Sequence, residues 1–174
     1  QEVKMTLHDE HSEMHVVGAL LSSDEIYYSV ADRIKPYFFY NPKIARTVRI
    51  IIDLHNNGES ANIVTVSNHI LSHPDVNNPE MWEIAEWSST AILSAFADAF
   101  DVVEEMYVRR RYFALGTKLM DFGTNPTSTF EEIQKEISSV LEEGSEKKKR
   151  VKSLRDANKE LKQRVIDNYE GTSD

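Results

Sequence analysis

Residues 94–122 read SAFADAFDVVEEMYVRRRYFALGTKLMDF, and this stretch decides the fold that we predict for the chain. Its apolar residues recur at helical intervals and lie on two sides of the predicted helix. One side carries Phe96, Phe100, Val103, Tyr107 and Phe113 or Ala114, and the other carries Val102, Tyr112, Leu115, Leu119 and Phe122. A helix with two apolar faces needs two packing partners. At a length of roughly 40 Å, we expect it to protrude from a small bundle.

The segment after this helix predicts a second, antiparallel helix. A turn over residues 123–126 is followed by Ser128 and Glu131, which have the spacing of a capping box. A coiled-coil-like seam follows and is predicted to end at Gly144. The seam consists of Phe130, Ile133, Ile137, Val140 and Leu141. We therefore predict a helical hairpin over residues 91–144, with one apolar stripe left free for another subunit.

The residues before the hairpin predict several short helices and no strands. Asn41-Pro42 places a capping side chain before a proline in a first helical turn, and Asn62 has the same role for a later helix. Ser22 and Glu25 have the spacing of another capping box. We therefore predict an all-α fold. Residues 1–12 are expected to be a flexible segment, and residues 13–90 a small globular helical bundle.

The composition of the chain changes after Gly144. Residues 147–150 are Lys-Lys-Lys-Arg, and the helix predicted beyond them has Leu154, Leu161 and Val165 nearly on one side. These apolar residues are too few to form a second core. Residues 145–174 are therefore predicted to be a basic linker helix and tail.

Composition and charge restrict the possible functions. The chain has 174 residues, 40% of them hydrophobic, and no cysteine, which excludes disulfides and cysteine-ligated zinc. The net charge is −12 for residues 1–144 and +3 for residues 145–174. An acidic body disfavours direct binding to DNA, and we expect Arg109, Arg110 and Arg111 to form a solvated or ion-paired surface. No apolar run reaches the ~20 residues of a membrane span and no signal peptide opens the chain, so we expect a soluble, cytoplasmic protein without a membrane partner.

Motifs of common active sites are missing from the sequence. None of the six glycines is followed by lysine, which excludes a Walker-type nucleotide-binding loop. No serine lies in a Gly-x-Ser-x-Gly turn. The carboxylates of Glu83, Glu86, Glu104 and Glu105 are predicted to lie on solvated helix faces. We therefore assign no catalytic, cofactor-binding or metal-binding residue to this chain.

Histidine spacing leaves one alternative open. His8, His11 and His15 have the i, i+3, i+7 spacing at which a helix can present three imidazoles to a metal ion. The start of a chain is usually frayed, however, and we expect these side chains to be solvated. His69 and His73 are also spaced for a helix site, but Pro74 indicates that they cap a helix C-terminus.

Three segments resemble a known family. Residues 13–21, EMHVVGALL, resemble a first-helix pattern of glutamate followed by a valine-leucine-glycine-alanine-leucine-leucine run in the amino-terminal domain of DnaB-type replicative DNA helicases. Residues 34–40, IKPYFFY, are similar to that family's leucine-lysine-proline, then phenylalanine-tyrosine stretch. Residues 52–58, IDLHNNG, with IVTV at 63–66, are similar to its next helix, glycine turn and valine-threonine-valine helix start. The departures are Tyr37-Phe38 where an acidic pair is usual, His11 in place of a glutamate, and no glycine-rich stretch before Trp82.

The resemblance implies a role in replication. In that family the globular helices and the hairpin form a collar, a ring of three dimers above six motor domains. The collar recruits primase, and the linker helix docks on a neighbouring motor. The chain is thus expected to be the oligomerisation and primase-recruiting domain of a DNA helicase, with a motor domain that uses ATP and Mg²⁺ beginning after Asp174. The expected dimer residues are Phe96, Phe100, Val103, Tyr107, Ile133, Ile137 and Leu141, and the expected linker-docking residues are Leu154, Leu161 and Val165.

Two other functions remain open. A stand-alone adaptor, similar to a helicase loader, would use the same fold without a motor domain. A small metal-dependent enzyme would use His8, His11 and His15. In the helicase interpretation, a loader is a further possible partner besides primase and other copies of the chain.

Overall fold

The computed structural model describes residues 7–124 and 129–170, and these residues form helices and no strands. The all-α class predicted from the sequence is therefore confirmed. The α-helices are α1 Glu10–Ser22, α2 Asp24–Val30, α3 Pro42–Asn56, α4 Ile63–Ser72, α5 Met81–Thr90, α6 Phe96–Thr124 and α7 Phe130–Glu170. Short 3-10 turns lie at Pro36–Phe38 and Leu93–Ala95.

The chain divides after Arg110 into two compact units, residues 1–110 and 111–174. This division lies within α6 and falls later than the boundary predicted at residue 90. The first unit contains α1 to α5 and the first half of α6. The second unit contains the rest of α6 and α7.

The core of the first unit is built around α1. Val16, Val17 and Leu20 have no exposed surface, and α1 packs against α5, α3 and α2. Gly18 makes the crossing with α5 close, since a Cβ added there would lie 1.9 Å from the Trp87 carbonyl oxygen. The absence of a side chain at Gly18 thus sets how closely the two helices approach.

Two of the three predicted helix caps in this unit are confirmed. The side chain of Asn41 accepts hydrogen bonds from the backbone N–H groups of Lys43 and Ile44, and Asn62 forms a capping box with Thr65. The predicted box of Ser22 and Glu25 is wrong. Ser22 ends α1, and its hydroxyl donates to the Gly18 carbonyl instead. A serine hydroxyl in the last turn of a helix can donate a hydrogen bond to the carbonyl four residues earlier. Ser22 forms this bond instead of capping the next helix.

Helix α1 begins earlier than expected. Asp9 caps it by accepting a hydrogen bond from the Ser12 N–H at 2.7 Å. The predicted flexible segment 1–12 is therefore helical from Glu10 onwards. Residues 1–6 lie outside the described residues.

Helix α7 continues through Gly144, so the predicted helix end at this residue is wrong. Glycine inside a helix is unfavourable by about 1 kcal/mol relative to alanine, which is too little to stop a long helix with good formers on both sides. A Cβ at Gly144 would lie 2.4 Å from the Tyr112 hydroxyl. The glycine therefore makes room for a neighbouring side chain. At the start of α7 a capping box joins Thr129 to Glu132, whereas the predicted cap Ser128 lies outside the described residues.

None of the helices in the described ranges is both long enough and apolar enough to span a membrane.

Candidate functional site

The second unit is an antiparallel pair formed by the end of α6 and the start of α7. Tyr112 contacts Gly144, and the rings of Phe122 and Phe130 meet edge to face with centroids 5.3 Å apart. As residue numbers rise along α6, those of the facing residues on α7 fall. Leu115 is 7% exposed and Val140 is fully buried between these two contacts. The hairpin predicted from the sequence is thus present here, with its inner face filled.

Ion pairs hold the same two helices in register. Arg111 on α6 pairs with Glu136 and Glu143 on α7, at nitrogen–oxygen distances of 3.5 and 3.1 Å. Lys118 lies 2.9 Å from the carboxylate of Glu136. Its hydrogen bond, with the charges of both cations, lowers the pKa of Glu136 below its usual value. These contacts fix which residues of each helix face outward.

Large apolar side chains of this unit face outward. On α6, Phe113 is 60% exposed and Met120 is 76% exposed. They are seven residues apart and therefore lie on the same side of the helix, opposite Leu115. On α7, Phe130 is 74% exposed and Leu141 is 50% exposed. Met120 was not among the residues predicted from the sequence, although its seven-residue spacing from Phe113 was a signal that could have identified it.

The seven predicted dimer residues fall in different units. Phe96, Phe100 and Val103 are 6%, 1% and 2% exposed and belong to the core of the first unit. Tyr107 packs on the ring of Phe38, with centroids 4.9 Å apart. These four side chains pack within their own chain, so a partner could reach the buried three only after rearrangement. Their assignment to a dimer interface stays a prediction.

The remaining predicted residues lie on α7. Ile133 and Ile137 are half-buried and Leu141 is exposed. The side chains of Leu154, Leu161 and Val165, predicted to dock the linker helix, lie outside the described part of the structure. Only the helical backbone of α7 is described at these three positions.

The three consecutive arginines have three different roles. Arg109 pairs with Glu105 on the surface of α6, at 2.6 Å. Arg110 is half-buried and donates hydrogen bonds to the carbonyl oxygens of Leu7 and Phe38, at 2.8 and 2.6 Å. Arg111 belongs to the ion pairs of the second unit. The expectation of an ion-paired surface is therefore confirmed for Arg109 and Arg111, whereas Arg110 holds backbone segments together.

Two of the carboxylates predicted to be solvated are instead largely buried and paired. Glu104 is 3% exposed and lies 2.9 Å from Arg33. Glu83 lies 2.6 Å from Lys43 and also accepts a hydrogen bond from the Glu80 N–H. That prediction was wrong for these residues because their pairing partners are distant in sequence. Both carboxylates stabilise the fold of the first unit.

The histidines of the amino-terminal segment do not converge. His8 stacks on Tyr40 with ring centroids 4.3 Å apart, and Nε2 of His15 lies 2.9 Å from the backbone nitrogen and oxygen of Ile92. Within the described ranges no group of three or more potential ligands is placed to hold a metal ion. His73 caps α4 and its Nδ1 lies 3.0 Å from the His69 carbonyl oxygen, as predicted.

The architecture therefore defines an all-α domain with a filled core in one unit, and a helical pair that exposes large apolar side chains in the other. Residues 5–105 match the family described as DnaB-like helicase N terminal domain. The chain belongs to this family. No curated protein sequence matches it.

Two solved structures are similar to the chain. The N-terminal domain of DnaB helicase from Mycobacterium tuberculosis is 25% identical, with a TM-score of 0.70 over 76% of this chain and 97% of that one. A DnaB-like replicative helicase, described with its interactions with primase, has a TM-score of 0.65 at 15% identity. That match covers 76% of this chain and 31% of the helicase, so the chain corresponds to under a third of it.

Proposed function

We propose that this chain is the N-terminal oligomerisation and primase-recruiting domain of a cytoplasmic replicative DNA helicase. Family membership supports the identity of the domain. One solved structure with the same fold is a helicase whose interactions with primase are described, which supports primase as the partner. The unwinding of DNA with ATP and Mg²⁺ belongs in this proposal to a motor domain outside the chain.

The exposed apolar side chains of the second unit are the observation that carries the oligomerisation proposal. Its inner face is already filled by Leu115 and Val140, yet Phe113, Met120 and Phe130 remain at least 60% exposed. Clusters of large exposed apolar side chains mark association surfaces in soluble proteins. A second copy of this unit is the partner that we propose for them.

The predicted residues of α7 fit this surface. Phe130, Ile137 and Leu141 are separated by seven and four residues, which places them within a narrow sector of the helix. Val140 points to a different sector and is buried. We therefore propose that Ile137 and Leu141 of the predicted dimer set act together with Phe113 and Met120. Ile133 is seven residues before the buried Val140 and lies on the same side of the helix as Val140.

Light scattering of the purified chain across a concentration series tests this proposal. The mass should rise towards that of a dimer or a ring of dimers. Phe113→Glu should weaken association by about 2 kcal/mol or more, the usual cost at a central interface residue. Val64→Glu is the matched control, because Val64 is 66% exposed but lies in the first unit. A parent chain that stays monomeric at high concentration would contradict self-association through this surface.

Primase recruitment has a separate test. Purified primase from the same source should bind the chain in a titration followed by calorimetry, and the interface can then be mapped by substitution. The absence of binding to both the chain and the full-length protein would contradict this part of the proposal. A helicase loader is a further partner to be tested in the same way.

The linker helix is proposed to dock on a neighbouring motor domain through Leu154, Leu161 and Val165. This proposal requires a motor domain to be encoded after residue 174, and the reading frame that encodes the chain tests that requirement. A nucleotide-binding loop encoded beyond residue 174 supports the helicase, whereas its absence would favour the stand-alone adaptor.

A further inference from the structure

A pocket of about 370 Å³ lies in the first unit and is not used by the proposed function. It is bounded by the 3-10 turn Pro36–Phe38, the start of α3 and the connection between α4 and α5. One part of its lining is apolar and aromatic, formed by Pro36, Tyr37 and Pro42. The other part is charged, formed by Arg46, Arg49 and Asp75. The pocket therefore presents both an apolar surface and charged groups to a single ligand.

The two arginines of the pocket differ in how they are held. Arg46 is positioned by its neighbours, with Nε 3.3 Å from the Asn78 side-chain oxygen and 3.8 Å from the carboxylate of Asp75. Its side chain is only 18% exposed. Arg49 follows three residues later on the same side of α3 and is exposed. Among the described residues it has no ion-pair partner.

Four other cations among the described residues of this unit are engaged elsewhere. Arg33, Lys43 and Arg109 each pair with a glutamate, and Arg110 donates to backbone carbonyls. Lys35, by contrast, is exposed directly before Pro36. Arg49 in the pocket and Lys35 next to it therefore place positive charge at this site, in a unit whose residues 1–110 carry a net charge of −9.

We propose that this pocket binds an acidic peptide segment of a partner protein. The planar guanidinium of arginine binds a carboxylate through two parallel hydrogen bonds, and Arg49 is free to do so beside the fixed Arg46. Tyr37 is 59% exposed and forms, with Pro42, an apolar wall for a neighbouring side chain of the same peptide. This inference does not depend on the proposed helicase function.

Charge complementarity favours a peptide over a nucleic acid. Binding to a phosphate backbone needs several cations placed along its path. Here Asp75 lines the pocket with its side chain 38% exposed, and the surrounding unit is acidic. A peptide can place one carboxylate on Arg49 and an apolar side chain next to it, whereas a nucleic acid presents a phosphate at every step.

The test is an NMR titration of the full chain with a peptide of alternating glutamate and leucine. The matched peptide has glutamine at each glutamate position, and a single-stranded oligothymidylate is the third ligand. The glutamate peptide should shift the amide signals of residues 35–49 and 75–78 in a saturable manner. The glutamine peptide should bind at least about tenfold more weakly, because a charge-assisted contact is lost.

Two variants locate the binding. Arg49→Gln should lower the affinity for the glutamate peptide by about tenfold. Arg109→Gln, which changes an exposed arginine of the same unit outside the pocket, should leave it unchanged. Equal binding of the two peptides, full affinity in Arg49→Gln, or tighter binding of the oligothymidylate at these residues would each overturn the proposal.

Discussion

Gly18 lies against the backbone carbonyl of Trp87, so that a Cβ at Gly18 would be 1.9 Å from the carbonyl oxygen. Gly18→Ala should therefore force α1 and α5 apart and lower the free energy of unfolding by about 2 kcal/mol or more, since overpacking outweighs the gain in helix propensity. Urea denaturation followed by circular dichroism measures this change.

Gly116→Ala is the matched control for this substitution. A Cβ at Gly116 meets no atom within 4 Å, so the variant should be as stable as the parent or up to about 1 kcal/mol more stable. If Gly18→Ala were equally well tolerated, the close crossing of α1 and α5 would be wrong.

Glu13 links α1 to the start of α3. It is 2% exposed, and its two carboxylate oxygens accept hydrogen bonds from the N–H groups of Tyr40 and Asn41, at 2.7 and 3.0 Å. Glu13→Gln keeps one acceptor and places an amide against the second donor. We expect a loss of about 2 kcal/mol in urea denaturation, since hydrogen bonds to a charged group are strong. Glu10→Gln, at an exposed position of the same helix, should change stability by less than about 0.5 kcal/mol.

Arg109 and Arg110 are adjacent but should respond differently to replacement by lysine. Arg110 donates to two carbonyl oxygens from different segments, which a lysine ammonium cannot reach in the same geometry. Arg110→Lys should lose about 1–3 kcal/mol of stability. Arg109 forms a surface pair with Glu105, and Arg109→Lys should lie within about 0.5 kcal/mol of the parent. Similar losses for both variants in urea denaturation would show that Arg110 does not join these segments.

The burial of His55 should make the free energy of unfolding depend on pH. Its side chain is 2% exposed and stacks on Tyr27, with ring centroids 3.9 Å apart. Burial lowers the pKa of His55 below its ordinary 6.5, although the nearby charge of Asp24 acts in the opposite direction. The unfolded chain therefore takes up this proton at a higher pH than the folded chain. The free energy of unfolding should be highest above the ordinary pKa and should fall as pH is lowered through it.

The variant His55→Phe tests this dependence, since it keeps the stacking and cannot be protonated. Between about pH 7 and pH 5 it should lose less stability than the parent. Burial also lowers the pKa of His69, so part of the dependence should remain and should be removed by His69→Gln. An unchanged pH dependence in His55→Phe, measured by thermal denaturation, would contradict this role for His55.

Local features were predicted well because they depend on neighbours in sequence. Asn41 and Asn62 cap helices through N–H groups two and three residues away, so their spacing sufficed. Gly144 misled the prediction, since the same residue type ends helices and makes room inside them. Its effect depends on Tyr112, which is distant in sequence.

The candidate site was predicted only in part. Periodicity placed Phe100 and Phe113 on the same apolar side of α6, but it does not indicate which of these residues the chain covers with its own helices. The structure buries Phe100 and leaves Phe113 and Met120 exposed. The pocket at Arg46 and Arg49 was missed because Pro36 and Asp75 complete it from other segments.

The sequence by itself determined the helical class, most helix positions, the family and the acidic character of the body. These properties follow from periodicity, local capping and composition, all of which can be read along the chain. The tertiary structure decided which apolar residues of α6 are exposed and what each of the three consecutive arginines does. Each of these depends on the partner that packing brings to a residue, and that partner is set by the burial of apolar surface across the whole unit.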